Sequence, residues 1–548
     1  MTGTPDADVL IIGAGPVGLL AALDLSSRGV SAIVVETRDF LEPPNVKCNH
    51  VASRTMESLR RLGIAAEVRA AGLPADHPQD VAFRTSLTGR ELSRIPIPAS
   101  GERYTATDGP DTSWATPEPP HRINQTFLEP ILARHAAEAP GVTLLNRTRF
   151  HAFAQDADGV TATISDLDGE NERTLRARYL IGADGGRSAV RKQIGAKLSG
   201  DPVLQHVQST CIRAPHLYGL MSADEPRAWG YYTFNPRRVG HVYSIDGTGT
   251  FLVHTYLSPE EAEDPGSVDR DAAIRAILGV DEDFSYEVVS KEDWVARRLL
   301  ADRFRDGRVF IAGDACHLWV PFAGFGMNAG IADVLNLTWL LGATIAGWAD
   351  ERILDAYQSE RRPITEQVSH FAMSHQQKLA KPGLPAALED EGPAGDEARR
   401  VFGAAVHDLN EPQFAAAGLN YGYSYDASPI IRYDGAEAPG YTMGSYTPST
   451  VPGCRAPHFR LADGTSLYDL LSAGYTAVCA PGAPAAVLAA AAELRGIPFS
   501  VVEVAEGLPA EYDQPITLVR QDQTVVWRGA APTAPEAAAL WELLRGVA

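Results

Sequence analysis

Residues 8–36 read DVLIIGAGPVGLLAALDLSSRGVSAIVVE, and this stretch decides the fold. Its first part, Asp8–Ile12, is a nearly continuous apolar run, which predicts a strand buried on both faces. Pro16–Arg28 has the apolar spacing of a helix and stops at Gly29, and Ser31–Glu36 is a second apolar strand. A strand, a helix and a second strand in this order predict an α/β fold with a parallel sheet.

A glycine motif, G-x-G-x-x-G, joins the first strand to the helix. Gly13 permits the tight turn, Gly15 lets the backbone approach a pyrophosphate, and Gly18 allows close packing of helix on strand. The helix that Pro16 opens supplies amide donors and a positive dipole end. Glu36 ends the second strand, where a carboxylate can accept a hydrogen bond from a ribose hydroxyl. We predict that these five residues bind a dinucleotide, and the charge of Glu36 favours FAD or NAD over NADP.

A second candidate site follows a later apolar strand, 308–313. Asp314 comes directly after this strand, where its carboxylate would reach a ribityl hydroxyl. The next loop leads into a helix whose free amides would stabilise negative charge on a flavin. A strand–loop–helix corner with a buried capping Asp is the alternative. The residues predicted to contact a flavin here are Asp314, Pro321, Gly324, Gly326, Met327 and Asn328.

A third turn, residues 183–188, reads ADGGRS and ends the strand 178–183. Asp184 lies there with two arginines, Arg187 and Arg191, which would suit a second nucleotide that binds transiently. A capped turn with an ion pair is the alternative.

Composition limits the partners and the location. A chain of 548 residues predicts two or three domains, and a net charge of −21 argues against nucleic acid or an anionic membrane surface. The five cysteines are scattered without metal-like spacing, so we expect a reducing cytoplasm and no metal site. The apolar stretch 334–349 is short and contains Asn336 and Thr338, which favours a buried core helix over a membrane span.

The rest of the chain changes character twice. Residues 228–234, 239–245 and 250–257 alternate as antiparallel strands do, residues 100–120 read as a long loop, and residues 382–396 read as a Gly/Pro-rich linker. The predicted division is an FAD-binding domain over 1–195 with 76–120 contributing to the substrate domain, a substrate-binding sheet over 196–300, a second FAD-binding part over 301–380, a connection over 381–425 and a C-terminal domain over 426–548.

In order and spacing, these motifs resemble the three fingerprints of single-component FAD-dependent aromatic hydroxylases, which include para-hydroxybenzoate hydroxylase and phenol hydroxylase. Two further matches are Arg54 in the stretch Ser53–Glu57, where the family's Arg contacts the FAD diphosphate, and Gln125, where its Gln contacts the ribityl region. Residues 452–468 resemble the start of a thioredoxin-like domain in the phenol hydroxylase branch. The resemblance implies a Rossmann-type FAD-binding domain with an interleaved antiparallel substrate sheet, a C-terminal thioredoxin-like domain, and packing of that domain on the flavin domain or on a second subunit of a homodimer.

The resemblance also implies the chemistry. NADPH or NADH reduces FAD, O₂ adds at flavin C4a, and the hydroperoxide gives one oxygen to a phenolic small molecule. The same fold also suits Baeyer–Villiger-like or decarboxylative oxygenation, an FAD reductase that does not activate oxygen, or a flavin-binding regulator. The long loop and the aromatic-rich sheet favour a substrate with several rings.

Catalytic and substrate residues are predicted near two segments. The phenol hydroxylase branch has an Asp where this chain has Asn49, which is no carboxylate base. His50 is the candidate base because its ordinary pKa is near neutrality, with backbone hydrogen bonding as the alternative. The residues predicted to contact substrate are Tyr232, Phe234, His241 and Phe322, and Arg238 and His254 lie on the same predicted sheet.

Overall fold

The computed structural model describes residues 5–169, 171–222, 224–319, 324–379 and 383–547. The strands of the described residues are β1 (Ala7–Ile12), β2 (Ala32–Val35), β3 (Val81–Arg84), β4 (Glu91–Ile95), β5 (Val142–Leu145), β6 (Thr148–Gln155), β7 (Val160–Asp166), β8 (Arg173–Gly182), β9 (Leu198–Arg213), β10 (Gly230–Thr233), β11 (Gly240–Ser244), β12 (Thr250–Tyr256), β13 (Glu287–Ala301), β14 (Arg305–Asp306), β15 (Val309–Ile311), β16 (His317–Leu318), β17 (Tyr475–Cys479), β18 (Phe499–Glu503), β19 (Ile516–Arg520) and β20 (Val525–Gly529). The α-helices are α1 (Pro16–Ser27), α2 (Ser53–Arg61), α3 (Ala65–Ala70), α4 (Gln125–Glu138), α5 (Ala189–Gln193), α6 (Pro259–Glu263), α7 (Arg270–Leu278), α8 (Phe325–Ile345), α9 (Ala356–Leu379), α10 (Pro393–Phe414), α11 (Ala417–Tyr421), α12 (Ala486–Glu493) and α13 (Ala534–Leu544).

The first sheet has a parallel centre. Its order is β14-β15-β8-β1-β2-β5, with β7 and β6 added as an antiparallel extension of β8. Strands β15, β8, β1, β2 and β5 all run parallel. Val9, Leu10 and Ile11 in the central strand β1 are fully buried, because helices cover the sheet and α1 packs between α4 and α8. The predicted strand–helix–strand start is therefore confirmed.

The second sheet has the order β16-β13-β9-β12-β11-β10-β3-β4 and is antiparallel except for the β10–β3 pair. Alternate residues of β10 to β12 face opposite sides, as the pleat requires. Tyr231, Val242 and Val253 face the helix α7, where they pack with Ile274 and Ile277. The other face is turned toward the first sheet. Strands β3 and β4 lie in this sheet although they come from residues 81–95.

The C-terminal module is a four-stranded sheet with the order β18-β17-β19-β20. Strands β17 and β18 are parallel and are joined through α12, while β19 and β20 are antiparallel, and α13 closes the chain. The thioredoxin-like assignment stays a prediction.

One segment differs from its predicted form. Residues 382–396 read as a linker, yet Pro393 opens the 22-residue helix α10 directly after Gly392, whose φ is +81°. Pro is favoured in the first helical turn because it has no amide hydrogen to leave unpaired there. The Gly/Pro-rich sequence therefore marks the start of a helix, and α10 packs across β4.

Two buried ion pairs dock the C-terminal module on the first domain. Arg520 of β19 donates to both carboxylate oxygens of Glu360 at 2.9 and 2.8 Å, and neither side chain is exposed. Arg455 pairs with Glu57 of α2 at 2.6 Å, again almost fully buried. Buried charges of this kind are costly when one partner is missing. The module is thus part of one packed body with the first domain.

None of the helices in the described residues combines the length and the apolar character that crossing a membrane needs.

We expect Arg520→Met to lower the free energy of unfolding by about 3–5 kcal/mol, because it leaves Glu360 buried without its cation. Urea unfolding of the purified protein measures this. Arg400→Met removes one partner of the exposed Arg400–Glu397 pair and should cost at most about 1 kcal/mol. The double variant Arg520→Met/Glu360→Gln should recover part of the loss, and equal effects of Arg520→Met and Arg400→Met would contradict the assigned role.

Candidate active site

A cavity of about 710 Å³ lies between the carboxyl ends of the parallel strands in the first sheet and one face of the second sheet. Gly15, Ala183 and Ala312 line it, and each follows a strand of the first sheet. Residues of β9 to β13 line the opposite wall. Ligands of open α/β sheets bind at this edge, so we take the cavity as the candidate site.

The glycine loop at one end fits a bound phosphate. Gly13 has φ +102°, and a Cβ on it would collide with the Ala183 carbonyl, while a Cβ on Gly18 would collide with the Gly13 carbonyl. Gly15 instead has no heavy atom within 4 Å of the place a Cβ would take, and it lines the cavity. Pro16 stands beside it at the start of α1. The loop therefore leaves open backbone next to the amide groups of a helix N-terminus, as a dinucleotide pyrophosphate requires.

Glu36 stands at the end of β2 beside this loop. Its carboxylate accepts hydrogen bonds from the amides of Ala14 at 2.8 Å and Arg38 at 2.9 Å. Burial acts to raise the pKa of Glu36, but the Arg38 and Ala14 amides outweigh it and hold the pKa below its ordinary value. Glu36 and Arg38 also line a smaller cavity of about 30 Å³ next to the loop. The residue is thus a fixed anion that can accept ribose hydroxyls.

The turn after β8 has the form of a capped corner. Asp184 accepts from the amides of Ala189 at 2.7 Å and Val190 at 3.1 Å at the start of α5, and its other oxygen is buried without a partner among the described residues. Arg191 donates to the carbonyls of Gly186 and Ala315, both at 3.0 Å. The structure therefore favours the alternative of a capped turn, and Arg191 ties this turn to the corner after β15.

Asp314 lies in a short 3-10 helix after β15 and faces the cavity. Burial raises its pKa, with His317 and Lys47 opposing. Next to it, His317 contacts Asp333 at 2.8 Å, and Arg361 donates to the same carboxylate at 2.9 Å. Asp333 and His317 also come within 4.8 Å of the Cys316 sulfur, a grouping that the sequence spacing does not predict.

The N-terminus of α8 points at the same cavity. Gly324, Gly326 and Met327 line it, and Gly324 has φ +63°. Asn328 is instead buried behind this turn, where its side-chain oxygen accepts from the amide of Ala52 at 2.8 Å. Asn328 thus ties α8 to α2. The predicted contacts of Pro321 and Phe322 lie outside the described residues.

The two remaining cofactor predictions separate in space. Gln125 lines the main cavity and donates to Glu129. Arg54 lies on a second cavity of about 110 Å³ under the C-terminal module, where it stacks on Tyr423 at 4.9 Å and donates to the Asp522 carbonyl at 3.1 Å. Among the described residues, the lysine and arginines that line the main cavity are Arg38, Lys47 and Arg122.

Asn49 and His50 both line the main cavity where the chain enters α2. The Nδ1 atom of His50 contacts the Arg122 guanidinium, and the Asn49 carbonyl oxygen accepts from Asn124. Burial, followed by the charge of Arg122, lowers the pKa of His50 well below its ordinary value. His50 is therefore neutral near pH 7.

The second sheet forms an aromatic wall. Tyr232 stacks on His241 with ring centroids 3.6 Å apart, and its hydroxyl contacts that of Tyr243 at 3.0 Å. His241 contacts the Tyr256 hydroxyl at 2.8 Å, and His254 contacts the Ser209 hydroxyl at 2.6 Å. The rings on the wall are Trp229, Tyr232, His241, Tyr243, His254, Tyr256 and Trp294. The cavity face of the sheet is therefore lined by rings whose polar atoms pair with one another.

Phe234 is not on this wall, because β10 ends at Thr233 and the ring packs on Phe402 of α10 at 5.2 Å. The same helix supplies Phe414, which lines the cavity and packs on Tyr232 at 5.8 Å. Arg238 pairs with Glu261 at 2.8 Å. Sequence reasoning missed Tyr243, although its position two residues after His241 on one strand signals the same face. It also missed Phe414 and Arg122, for which no local pattern exists.

Comparison with known proteins agrees with this site. The FAD binding domain family matches residues 6–372. The chain is 30% identical to phenol 2-monooxygenase of Pseudomonas sp. (strain EST1001) over 100% of its own length and 93% of that protein. It is 32% identical to aklavinone 12-hydroxylase RdmE of Streptomyces purpurascens over 99% of both. The rebeccamycin biosynthetic enzyme RebC with reduced flavin superposes with a TM-score of 0.87 at 33% identity over 99% of both chains.

Fold, cavity and relatives together define a flavoprotein monooxygenase with FAD as cofactor. The chain belongs to the family of FAD-dependent aromatic hydroxylases. The family and the cofactor predicted from the sequence are confirmed.

We expect Gly15→Ala and Gly18→Ala to fail in different ways. The methyl group added by Gly15→Ala meets no protein atom and should leave the apoprotein fold intact, but it occupies the open side of the loop and should weaken FAD binding about tenfold or more, ~1.4 kcal/mol. Gly18→Ala forces the loop apart and should lower the stability of the apoprotein itself. Flavin fluorescence titration measures FAD affinity, and unfolding of the apoprotein measures its stability. Normal FAD affinity in Gly15→Ala would contradict a role of this loop in binding FAD.

We expect stability to fall with acidification through His254. Burial lowers the pKa of this histidine to about 4. Below pH 6.5 His254 is protonated in the unfolded chain, whereas in the folded protein it stays neutral down to about pH 4. Over this range the free energy of unfolding therefore falls by up to about 3 kcal/mol because of this group. Unfolding free energies measured from pH 7 to pH 4 should decline less steeply in His254→Gln. Parallel pH curves for both proteins would show that His254 is not a neutral buried group.

Proposed function

We propose that this enzyme hydroxylates a phenolic compound with more than one ring, using NADPH or NADH and O₂. The observation that carries the proposal is one continuous cavity, which runs from the glycine loop to the aromatic wall. A flavin that is anchored at one end and an aromatic ring that is stacked at the other would meet inside it. Bound FAD supplies the reduced flavin that activates O₂, and the protein orients the ring and limits access of water.

The residues proposed to hold FAD divide by the part of the cofactor they serve. Gly13, Gly15, Pro16 and Gly18 serve the pyrophosphate, Glu36 serves the adenosine ribose, and Gln125 and Asp314 serve the ribityl chain. Gly324, Gly326 and Met327 present the N-terminus of α8 to the flavin ring, where the helix dipole favours negative charge. Arg38 and Lys47 also line the cavity, where Arg38 pairs with Glu36 and Glu129 and Lys47 pairs with Glu292. Asp184 and Asn328 hold the turns that carry these groups, while Arg54 lies on the second cavity under the C-terminal module.

The size of the wall supports a substrate with several rings. Trp294 of β13 and Tyr232 of β10 lie four strand-to-strand steps apart, which is about 19 Å at ~4.8 Å a step. A single phenol ring would cover only part of this length. Tyr232, His241 and Tyr243 present ring faces and edges to whatever lies on the wall, and stacked aromatic pairs of this kind add affinity beyond apolar burial.

Product analysis under isotopically labelled O₂ tests the reaction class. Hydroxylation adds one labelled oxygen atom to the ring. Baeyer–Villiger-like insertion adds it between a carbonyl carbon and the adjacent carbon, and oxidative decarboxylation also removes carbon dioxide. An FAD reductase oxidises NAD(P)H and leaves every aromatic compound unchanged. NMR of the products separates hydroxylation from the isomeric insertion product, and mass spectrometry together with peroxide measurement separates the other outcomes; label-free products would refute the proposal.

We expect kcat/KM for a three-ring phenol such as alizarin to exceed that for phenol by about tenfold or more, which is ~1.4 kcal/mol of transition-state binding. The reason is the greater area of the aromatic wall that the larger molecule covers. Steady-state NAD(P)H consumption, corrected for peroxide release, provides the measurement. Equal values for the two compounds would limit the substrate to a single ring.

The proposal extends to a cytoplasmic enzyme, which the five unpaired cysteines support. The homodimer stays a prediction, and the solution mass, 58.8 kDa for one chain or twice that value, tests it.

A further inference from the structure

The end of the main cavity that is formed by Asn49, His50 and Arg122 has an unusual polarity. An arginine guanidinium has hydrogen-bond donors and no acceptor. Since Arg122 contacts Nδ1 of His50, that nitrogen must be the acceptor. The neutral imidazole then carries its single proton on Nε2. His50 therefore presents an N–H donor at Nε2, where it has no lone pair to take a proton from a phenol.

The orientation of the Asn49 side-chain amide is likewise fixed by a neighbour, Asn124. The Asn124 side-chain oxygen accepts from the Thr126 amide at 2.9 Å, so the Asn124 nitrogen is the donor to the Lys47 carbonyl at 2.7 Å and to Asn49. The Asn49 oxygen is thus engaged as an acceptor. Asn49 also offers a ligand its NH₂ group, which is a donor.

The charge at this end of the cavity is positive. Asp111 lies 2.7 Å from Arg103 and 3.4 Å from Arg122, so two guanidinium groups share one carboxylate. All three side chains are almost fully buried. Burial lowers the pKa of Arg122 to about 10, which leaves it charged near neutral pH. Burial lowers the pKa of nearby His121 well below its ordinary value, so that ring adds no charge. The cluster therefore carries about one uncompensated positive charge.

The remaining polar neighbours do not reverse this polarity. Arg122 donates to the Phe414 carbonyl at 3.1 Å, which holds the guanidinium under the helix α10. The hydroxyl of Tyr232 is paired with that of Tyr243. The acids that line the same cavity are Glu42, Glu129, Glu292 and Asp314. Glu129 pairs with Arg38 and Glu292 pairs with Lys47, while Asp314 lies at the carboxyl end of β15. A ligand atom between Asn49, His50 and Arg122 therefore meets donors and positive charge.

We propose that Asn49, His50 and Arg122 form a binding site for an anionic oxygen of the aromatic substrate, so that the phenol binds as its phenolate without a protein base at this position. The inference rests on the proposed function, since the ligand is the proposed phenolic substrate. The phenol O–H proton leaves to solvent on binding, and the oxygen keeps the electron pair. Electron density then rises on the ring that is to be hydroxylated, which is the activation that a general base would otherwise provide.

Titration of a bound phenol tests the proposal directly. Alizarin changes its visible absorption when its hydroxyl ionises, at wavelengths longer than those absorbed by oxidised FAD. Alizarin is mixed with an excess of oxidised holoenzyme in the absence of NAD(P)H, so that it is fully bound and is not converted to product. We expect the pKa of bound alizarin to lie at least about one unit below that of the free compound, a tenfold or greater preference for the anion.

Matched variants locate the effect. Arg122→Met should return the pKa of the bound probe toward the free value, and Arg122→Lys should retain most of the shift. Asn49→Asp places a carboxylate there and should raise the pKa above that in the parent protein. Arg238→Met removes a charge from an ion pair in the turn between β10 and β11, outside the cavity lining, and should leave the pKa of the bound probe unchanged. FAD content and unfolding midpoints show which variants are folded. If Arg122→Met does not fold, the pKa of the probe bound to Asn49→Asp serves as the test of the site.

Two results would overturn the site: alizarin that does not bind, or bound alizarin whose pKa is unshifted or insensitive to Arg122 and Asn49. The labelled-oxygen experiment tests the proposed reaction independently of the anion site. Alizarin bound as its anion without any oxygenated product would leave the site in place and refute the proposed reaction. Oxygenated product with an unshifted pKa would do the reverse.

Discussion

The structure depends on how closely the first turn of the chain approaches the end of β8. A methyl group on Gly13 or Gly18 has no room, because the Ala183 and Gly13 carbonyls occupy that space. This contact draws the carboxyl ends of β1 and β8 together and fixes where α1 begins. The open side of Gly15 is a consequence, since the loop can close so tightly against the sheet only by leaving its other side free.

The second sheet has a place in the fold because its two faces differ. One face packs on α7 through apolar side chains such as Tyr231 and Val242, and the other carries rings and hydroxyls that pair with one another. Buried polar groups persist in pairs of this kind, because an unpaired one costs free energy. The wall is therefore both stable without a ligand and suited to an aromatic ligand, whose flat face needs few polar partners.

Much of the fold and part of the site could be predicted from the sequence. Strands with continuous or alternating apolar patterns, such as β1 and β11, follow from local periodicity, and the glycine loop follows from a motif with a physical reason for each residue. Arg54 shows the limit, because its position in a motif does not reveal which side of α2 it faces. Arg122 and Phe414 show a second limit, since they reach the cavity only through the packing of distant segments. The prediction of a linker around Gly392 was wrong for a third reason, because Gly and Pro occur at helix starts as well as in linkers.

The distribution of charge explains how an acidic chain can hold anionic ligands. The net charge is −21, yet the cavity receives the N-termini of α1 and α8 together with Arg38, Lys47 and Arg122. Carboxylates of the same lining pair with Arg38 and Lys47, whereas Arg122 shares Asp111 with Arg103. Charges on the outer surface are screened within about 8–10 Å at physiological salt, whereas groups inside the cavity act at short range and in a lower dielectric. The sign of the site is therefore set by a few fixed donors and not by composition. The tautomer of His50 belongs to the same set of constraints, because one buried guanidinium decides which of its nitrogens can serve a ligand.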